Sequence, residues 1–154
     1  MPASVGETMN EQVRIERARA VPADLLDRIN ELFPDHAWEA TSAARFCADD
    51  ANVLLVAYSG DTPCGLLIAY RLQCLDARRA QLFIDEVDVS EDYRRRGIGR
   101  AMMVRIIQIA REMDVGEAWV QTHAANIPAL GLYRAVGGVR EDPDETIVSF
   151  AFTI

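Results

Sequence analysis

The segment from Ile84 to Arg100 constrains the fold of this chain more than any other part of the sequence, and it reads IDEVDVSEDYRRRGIGR. It begins with β-forming residues, passes through a polar turn with three consecutive arginines, and predicts a helix that opens at Gly97. The first N–H groups of a helix lack partners within it, and the helix dipole adds partial positive charge, so such a start attracts anions. Gly97 and Gly99 carry no side chain that would keep a phosphate away from these amides. The segment therefore predicts an anion-binding turn between a strand and a helix.

Two common nucleotide-binding patterns do not fit this segment. A dinucleotide-binding fingerprint would have a small residue at the position of Met102, and a Walker loop would continue from its glycine with Lys and Ser or Thr. The pattern that the segment does contain is the spacing Arg94-x-x-Gly97-x-Gly99. A solvated basic turn before an ordinary helix is the alternative, and this segment alone does not decide between the two.

The composition indicates one globular domain. The chain has 154 residues, of which 50% are hydrophobic and 26% charged, which is enough to bury a core. We expect residues 1–12 to form a flexible polar tail and residues 13–154 to form the domain. No apolar run is long enough to span a bilayer and the first residues are not signal-like, so we expect a cytoplasmic protein without membrane attachment.

The charged and metal-binding residue types limit the partners. The three cysteines fit no metal or redox spacing, and with two histidines we expect no metal site. The formal net charge of −8 disfavours nucleic acid, whose affinity for proteins comes chiefly from lysine and arginine on phosphates. It favours a small cationic partner. The arginines at 94, 95, 96 and 100 form a basic island that one specific anion explains better than general surface charge.

Hydrophobic periodicity predicts the order β-α-α-β-β-β-α-β-α-β-β. The predicted strands that can be placed span 13–20, 52–59, 64–75, 81–89, 118–122 and 146–154, and the predicted helices span 22–33, 42–48, 97–113 and 126–136. This order indicates an α/β protein with a mixed sheet of about seven strands and four helices on both faces.

A second informative segment, Asn126 to Gly137, reads NIPALGLYRAVG. Asn126 is a favourable N-cap, and the glycines at 137 and 138 end the predicted helix. Asn126 and Tyr133 are seven residues apart, so the helix places them on one side, two turns apart. The alternative interpretation of Tyr133 is a core aromatic residue with a satisfied hydroxyl.

Together, the two segments resemble the GNAT acetyltransferase superfamily, which binds acetyl-CoA. The spacing Arg94-x-x-Gly97-x-Gly99 resembles its pyrophosphate-binding signature, and the second segment contains each residue of its Asn-x-x-Ala-x-x-Leu-Tyr-x-x-x-Gly pattern. The chain has Gly138 where the family usually has phenylalanine. The resemblance implies the GNAT acyl-CoA N-acyltransferase fold over the domain.

A closer resemblance points to the aminoglycoside 3-N-acetyltransferases. It rests on residues 84–89, 91–98 and 128–133, and on an acidic segment before a last strand that contains phenylalanines. Residues 122–125 depart from that group, which has an acidic loop where this chain has Thr-His-Ala-Ala. The resemblance therefore favours acetyl transfer more firmly than it identifies the acceptor.

The family resemblance implies acetyl-CoA as the cofactor and a strand that splays from its neighbour beside Val87–Val89, where its backbone pairs with the pantetheine arm. The N–H of Val87 or Asp88 would then donate to the thioester carbonyl, and Tyr133 would be the general acid for the leaving sulfur. The predicted cofactor-binding residues are Val87, Asp88, Val89, Arg94, Arg95, Arg96, Gly97, Ile98, Gly99, Arg100, Asn126 and Tyr133.

Glu86 matches the position of the carboxylate in the aminoglycoside group, so the resemblance implies Glu86 as the base that removes a proton from the acceptor amine, with Asp85 as the second choice. Adjacent strand residues face opposite ways, so one of the two points into the cleft. A carboxylate of reference pKa ~4.3 is a weak base for an ammonium, so a raised pKa or relay through water is required. A half-exposed strand with ion-paired acids is the alternative.

The loop 35–39 lies where the resemblance implies the substrate residues of GNAT enzymes. With the acidic connection before the last strand, it would form an acidic basin for a polycationic amine. His123 is a further candidate base, although such a histidine more often bonds to backbone. Solvated loop acids are the alternative. The predicted acceptor-binding residues are Asp35, His36, Trp38, Glu39, Glu86, His123, Glu141, Asp142 and Glu145, with Asp144 beside them.

The leading functional hypothesis is an acetyl-CoA-dependent N-acetyltransferase for a small polycationic amine, with the 3-N amine of an aminoglycoside antibiotic as the leading acceptor. The alternatives are acetylation of a polyamine, a protein N-terminus or a lysine, and a CoA-binding module without turnover. A homodimer is common in such folds, but no residue argues for one here.

Overall fold

The computed structural model describes residues 12–76, 78–142 and 146–154. The strands are β1 (Val13–Arg17), β2 (Asn52–Ser59), β3 (Thr62–Leu72), β4 (Ala80–Val89), β5 (Val115–His123), β6 (Val139–Arg140) and β7 (Ile147–Thr153). The helices are α1 (Ala23–Leu32), α2 (Ala40–Ala48), α3 (Ile98–Glu112) and α4 (Ile127–Ala135), with a short 3-10 helix at Glu91–Tyr93. The strands of the described residues form one seven-stranded mixed sheet, as the sequence predicts, and their order across the sheet is β1-β2-β3-β4-β5-β7-β6.

Strands β4 and β5 pair in parallel, whereas the other neighbours in the sheet are antiparallel. Helix α3 lies in the crossover connection that joins the parallel strands β4 and β5. The parallel ladder begins at Ala80 and ends where Ile84 meets Val120, although both strands continue beyond this pair. Residues 85–89 of β4 therefore face β5 across a gap, so the two strands splay.

A β-bulge lies at the point where the two strands separate. Ile84 is opposite Ala69 and Glu86 is opposite Ile68, so Asp85 is an extra residue in β4. The bulge shifts the alternation of side chains by one position. Val87 and Val89 consequently pack against the same core as Ile84, while Glu86 and Asp88 project to the other face.

Two hydrophobic clusters fill the two faces of the sheet, which confirms helices on both sides. α3 and α4 cover the larger cluster, with Met102, Ile106 and Tyr133 among its buried members. α1 and α2 cover the smaller one, which includes Ile29 and Leu54. No helix in the described part of the chain is long and apolar enough to cross a membrane.

Element ends differ from the expectations where turns are tighter or looser than the sequence suggests. β5 begins at Val115, three residues before position 118, because Asp114 adopts a left-handed φ of 53° and completes the turn alone. β3 starts earlier and stops earlier than predicted, and β1 ends at Arg17. None of these shifts changes the order of the elements.

Gly138 stands where the related family usually has phenylalanine, and the structure explains the exchange. A β-carbon at Gly138 would lie 2.8 Å from two ring atoms of Phe152 and 2.8 Å from the Tyr133 carbonyl oxygen. The ring of Phe152, contributed by β7, therefore fills the space beside α4 that a side chain at Gly138 would need.

Candidate active site

A groove of about 840 Å³ lies between the splayed end of β4, the start of α3 and helix α4. The predicted cofactor-binding residues line it, with the exception of Arg96. The sequence reasoning missed five lining residues. Glu91 and Tyr93 come from the 3-10 helix, and Pro128, Ala129 and Leu132 come from α4. All five lie beside predicted residues, so proximity along the chain was the available signal.

The start of α3 presents open backbone amides to this groove. Gly97 precedes the helix with a left-handed φ of 80°, and no side chain caps the helix. The N–H of Ala101 donates to the Gly97 carbonyl at 3.0 Å, so the amides before it lack partners within the helix. A β-carbon at Gly99 would lie 3.2 Å from a methyl carbon of Leu132, which shows how closely α3 approaches α4.

The arginines of the basic island beside these amides make different contacts. The Nε of Arg94 donates to the Val89 carbonyl oxygen at 3.1 Å, which ties the turn to the end of β4. Arg95 and Arg100 line the groove and are exposed. The Arg96 guanidinium instead lies 5.1 Å from the ring centre of Tyr93. Arg96 is not one of the described residues that line the groove.

Helix α4 supplies the far wall of the groove. The side-chain oxygen of Asn126 accepts a hydrogen bond from the Ala129 N–H at 3.3 Å, so the predicted N-cap is present. Tyr133 is buried, and its ring centre is 5.5 Å from that of Phe150. Burial raises the pKa of Tyr133 to about 12, because the phenolate would lose its hydration.

On the opposite face of β4, two carboxylates meet one imidazole. The Nε2 of His36 is 3.2 Å from Glu86 Oε1 and 3.5 Å from Asp88 Oδ2. Burial raises the pKa of Glu86, the neighbouring charges of Asp88 and Asp85 raise it further, and His36 opposes this. Asp85 itself is exposed at the bulge and is not among the contacts of His36. Of the two acids considered as the base, Glu86 is therefore the one that contacts His36.

The loop that carries His36 is held in place by its neighbours. The side chain of Asn30 accepts a hydrogen bond from the Trp38 N–H at 2.8 Å and donates one to the Trp38 carbonyl at 2.9 Å. The His36 ring lies 5.9 Å from that of Phe33 and 6.1 Å from that of Trp38. Sequence reasoning missed Asn30, since an asparagine inside a helix gives no signal of a long-range contact.

The ligand atoms of His36, Glu86 and Asp88 lie within 4.8 Å of one another. The low histidine count predicts no metal site, yet these side chains form a set that can bind a cation. An imidazole with two carboxylates suits a divalent metal ion, and the two carboxylates alone suit an ammonium group.

A second cavity, of about 360 Å³, lies on this face between α2, the loop after α1 and strands β2 and β3. We call it the apolar chamber. Three of the predicted acceptor-binding residues line it, namely His36, Trp38 and Glu39. Ala37 and the α2 residues Ser42, Ala43 and Phe46 lie close to them in the chain, and Val21, Leu54, Ile68 and Tyr70 complete the lining from more distant segments.

The remaining predicted acceptor residues are not gathered into these cavities. Among the described residues, Asp35, His123, Glu141 and Asp142 line neither the groove nor the apolar chamber. His123 is exposed at the end of β5, and Glu141 follows β6 at the far edge of the sheet. Two strands, β5 and β7, separate β6 from β4, so the predicted acidic basin does not form around Glu86 in the described residues. Asp144 and Glu145 lie outside those residues.

An open amide cradle lies on one face of a splayed strand, with a buried tyrosine beside it and a carboxylate pair on the other face. This is the arrangement that the sequence resemblance implies for an acyl-CoA-dependent transferase. The sequence matches the acetyltransferase (GNAT) family over residues 23–137. The chain therefore belongs to the GNAT family of acetyltransferases, which use acetyl-CoA.

Two curated relatives are similar in sequence. Streptothricin acetyltransferase from Streptomyces lavendulae is 30% identical over 121 residues, which cover 77% of this chain and 60% of the relative. The [ribosomal protein bS18]-alanine N-acetyltransferase of Escherichia coli K12 is 30% identical over 73 residues, which cover 47% of this chain and 48% of the relative. The matched regions thus span about half to three fifths of these relatives.

A solved structure with the same fold is an aminoglycoside acetyltransferase from an uncultured soil metagenomic sample. Its TM-score is 0.72 at 24% sequence identity, and the match covers 85% of this chain and 93% of that one. At this identity the likeness shows the shared fold.

Proposed function

We propose that this acetyltransferase transfers an acetyl group to a primary amine of a small cationic acceptor. The observation that carries the proposal is the pair formed by Glu86 and Asp88. Their carboxylates lie on the face of β4 opposite the groove, and the splay of β4 from β5 leaves an opening beside them. A paired carboxylate site attracts an ammonium group, and the net charge of −8 favours a cationic acceptor.

The groove fits the cofactor of the family. The amides at the start of α3 and the side chains of Arg94, Arg95 and Arg100 would hold the diphosphate. The backbone of residues 85–89, which has no β5 partner, would hold the pantetheine arm. When bound, acetyl-CoA supplies an acetyl thioester.

Two side chains and one backbone N–H group of the protein then have three tasks. Glu86 accepts the proton that the ammonium loses, directly or through water, and its raised pKa makes it a stronger base than an ordinary glutamate. The N–H of Val87 or Asp88 donates to the carbonyl oxygen of the thioester. As the N–C bond forms and the C–S bond breaks, Tyr133 donates its proton to the sulfur.

The acceptor proposed first is an aminoglycoside, at the 3-N amine that the sequence resemblance indicates. One relative is named for streptothricin, so streptothricin is an equally direct acceptor to test. The other relative is named for an alanine of ribosomal protein bS18, which supports peptides as the second class of acceptor. A CoA-binding module without turnover has no use for a buried tyrosine hydroxyl at the groove. The homodimer and the cytoplasmic location stay predictions from the sequence.

A spectrophotometric thiol-release assay with acetyl-CoA tests the proposal. The panel contains an aminoglycoside, streptothricin, spermidine, a peptide with an N-terminal alanine and simple primary amines. We expect at least one amine to accelerate release in the wild type, and Glu86→Gln to lower kcat/KM for that amine with CoA affinity retained. If no amine in the panel accelerates release, the proposed function is wrong.

A further inference from the structure

We propose that the apolar chamber binds a hydrophobic substituent of the acceptor, so that the preferred acceptor is an amine with an apolar group next to the reacting nitrogen. This inference rests on the proposed function and narrows its acceptor to apolar primary amines, which the chamber favours over the aminoglycoside named above. The chamber has the size of an ordinary small-ligand site, at about 360 Å³. Aliphatic and aromatic side chains dominate its walls.

Aromatic residues give the chamber its shape. The rings of Phe46 and Tyr70 meet edge to face, with their centres 5.5 Å apart, and Trp38 belongs to the same cluster. Leu54 and Ile68 provide an aliphatic floor and are buried. The two hydrogen bonds between the Asn30 side chain and the Trp38 backbone, one donated and one accepted by Asn30, fix this wall before a ligand enters.

The chamber adjoins the carboxylate pair. His36 lines the chamber and contacts both Glu86 and Asp88, while Ile68 on its floor is the cross-strand neighbour of Glu86. Burial raises the pKa of Tyr70, and the negative charges of Asp85 and Glu86 raise it further. An amine nitrogen at Glu86 would therefore carry its substituent into the chamber.

The polar groups of the chamber are too few for a second and third ammonium. Among the described residues that line it, the polar ones are His36, Glu39 and Ser42, together with the hydroxyl of Tyr70. Glu39 is the one acid among them and is exposed. An ammonium group placed among the remaining walls would exchange its hydration for cation–π contacts with the rings alone, whereas an alkyl or aryl group would gain by burial.

The test measures KM across a series of amines of equal charge. In a set of n-alkylamines from ethylamine to hexylamine, we expect each methylene to lower KM by about fourfold, the equivalent of ~0.8 kcal/mol per buried methylene, until the chamber is full. Phenethylamine should have a lower KM than ethanolamine, and hexylamine a lower KM than its charged analogue 1,6-diaminohexane. A KM that does not fall with chain length would overturn the proposal.

A matched pair of variants locates the effect. Ala43 lines the chamber and is buried, whereas its neighbour Ala44 is exposed and does not line it. Ala43→Phe should raise KM for hexylamine by at least tenfold, with CoA affinity unchanged, and Ala44→Phe should leave KM within twofold. Ser42→Phe narrows the chamber from an exposed position, so it gives the same test if Ala43→Phe does not fold.

Binding can be followed apart from turnover, through the fluorescence of Trp38 on the chamber wall with Trp38→Phe as the blank. If hexylamine binds there but no amine is acetylated, the proposed function fails and the chamber assignment stands. If spermidine or an aminoglycoside is acetylated better than hexylamine, and at the same rate by Ala43→Phe, the chamber assignment fails and the proposed function stands.

Discussion

Replacing Tyr133 with phenylalanine tests the chemical step most cleanly, because it removes one hydroxyl and keeps the ring. The ring contact with Phe150, at 5.5 Å between centres, remains in the variant. With its pKa raised to about 12, Tyr133 is ionised in about one molecule in ten thousand at pH 8. Essentially every molecule therefore has the proton available for the leaving sulfur.

The expected magnitude follows from this role. A positioned general acid contributes about 10²- to 10⁴-fold to a rate, so Tyr133→Phe should lower kcat by about 100-fold or more. The dissociation constant for CoA should stay within about twofold, since the diphosphate contacts lie at the start of α3. Because the raised pKa lies far above neutrality, loss of this proton should not reduce the wild-type rate below about pH 11.

The thiol-release assay gives kcat, and isothermal titration calorimetry gives the CoA affinity. Tyr58→Phe is the matched control, since Tyr58 lies on β2 beside Arg14, away from both cavities, and this variant should keep the wild-type kcat. A kcat for Tyr133→Phe within threefold of the wild type would refute the general-acid role. A parallel loss of CoA affinity would indicate a structural role instead.

Four further predictions follow from the site and its packing. Gly99→Asp should weaken CoA binding by at least tenfold in calorimetry, because it adds a negative charge at the cradle, while Gly131→Asp, in open space on α4, should not. As the pH is lowered, kcat/KM should fall with a midpoint above pH 4.5, because the base acts when deprotonated and the pKa of Glu86 is raised. In Glu86→Gln this fall at acid pH should be absent. Added Zn²⁺ should inhibit the enzyme competitively against the amine but not against acetyl-CoA, and His36→Ala should weaken this inhibition. Inhibition competitive with acetyl-CoA would place the metal elsewhere. Gly138→Ala should lower the free energy of unfolding by about 1–3 kcal/mol through its clash with the neighbouring ring and carbonyl, whereas Gly131→Ala should raise it by about 0.5–1 kcal/mol; equal effects in denaturant titrations would contradict the packing described.

The cradle was predictable from the sequence because its parts are local. The strand, the arginines, Gly97 and Gly99 follow one another within a short segment, so no long-range contact is needed to bring them together. The bulge at Asp85 was not predictable, because one extra residue in a strand leaves no mark in composition. The bulge determines on which face of the sheet the side chain of Glu86 lies. The regular alternation of side chains along a strand therefore could not predict that face.

The acceptor side was predictable only in part, for the same physical reason. The loop with His36 follows directly from α1, but its partners on β4 and the walls of the chamber come from residues distant in sequence. The acids at 141 and 142 looked suitable because of their charge. Charge does not determine where a loop lies, and β6 places these residues at the opposite edge of the sheet from β1.

The central claim is that the cofactor and the acceptor meet across β4, with the amide cradle on one face and the carboxylates of Glu86 and Asp88 on the other. A crystal structure with CoA and hexylamine bound together tests it most directly. The account predicts diphosphate density on the amides of residues 98–100 and the amine nitrogen within hydrogen-bonding distance of Glu86. A diphosphate bound elsewhere, or an amine held away from Glu86, would contradict it.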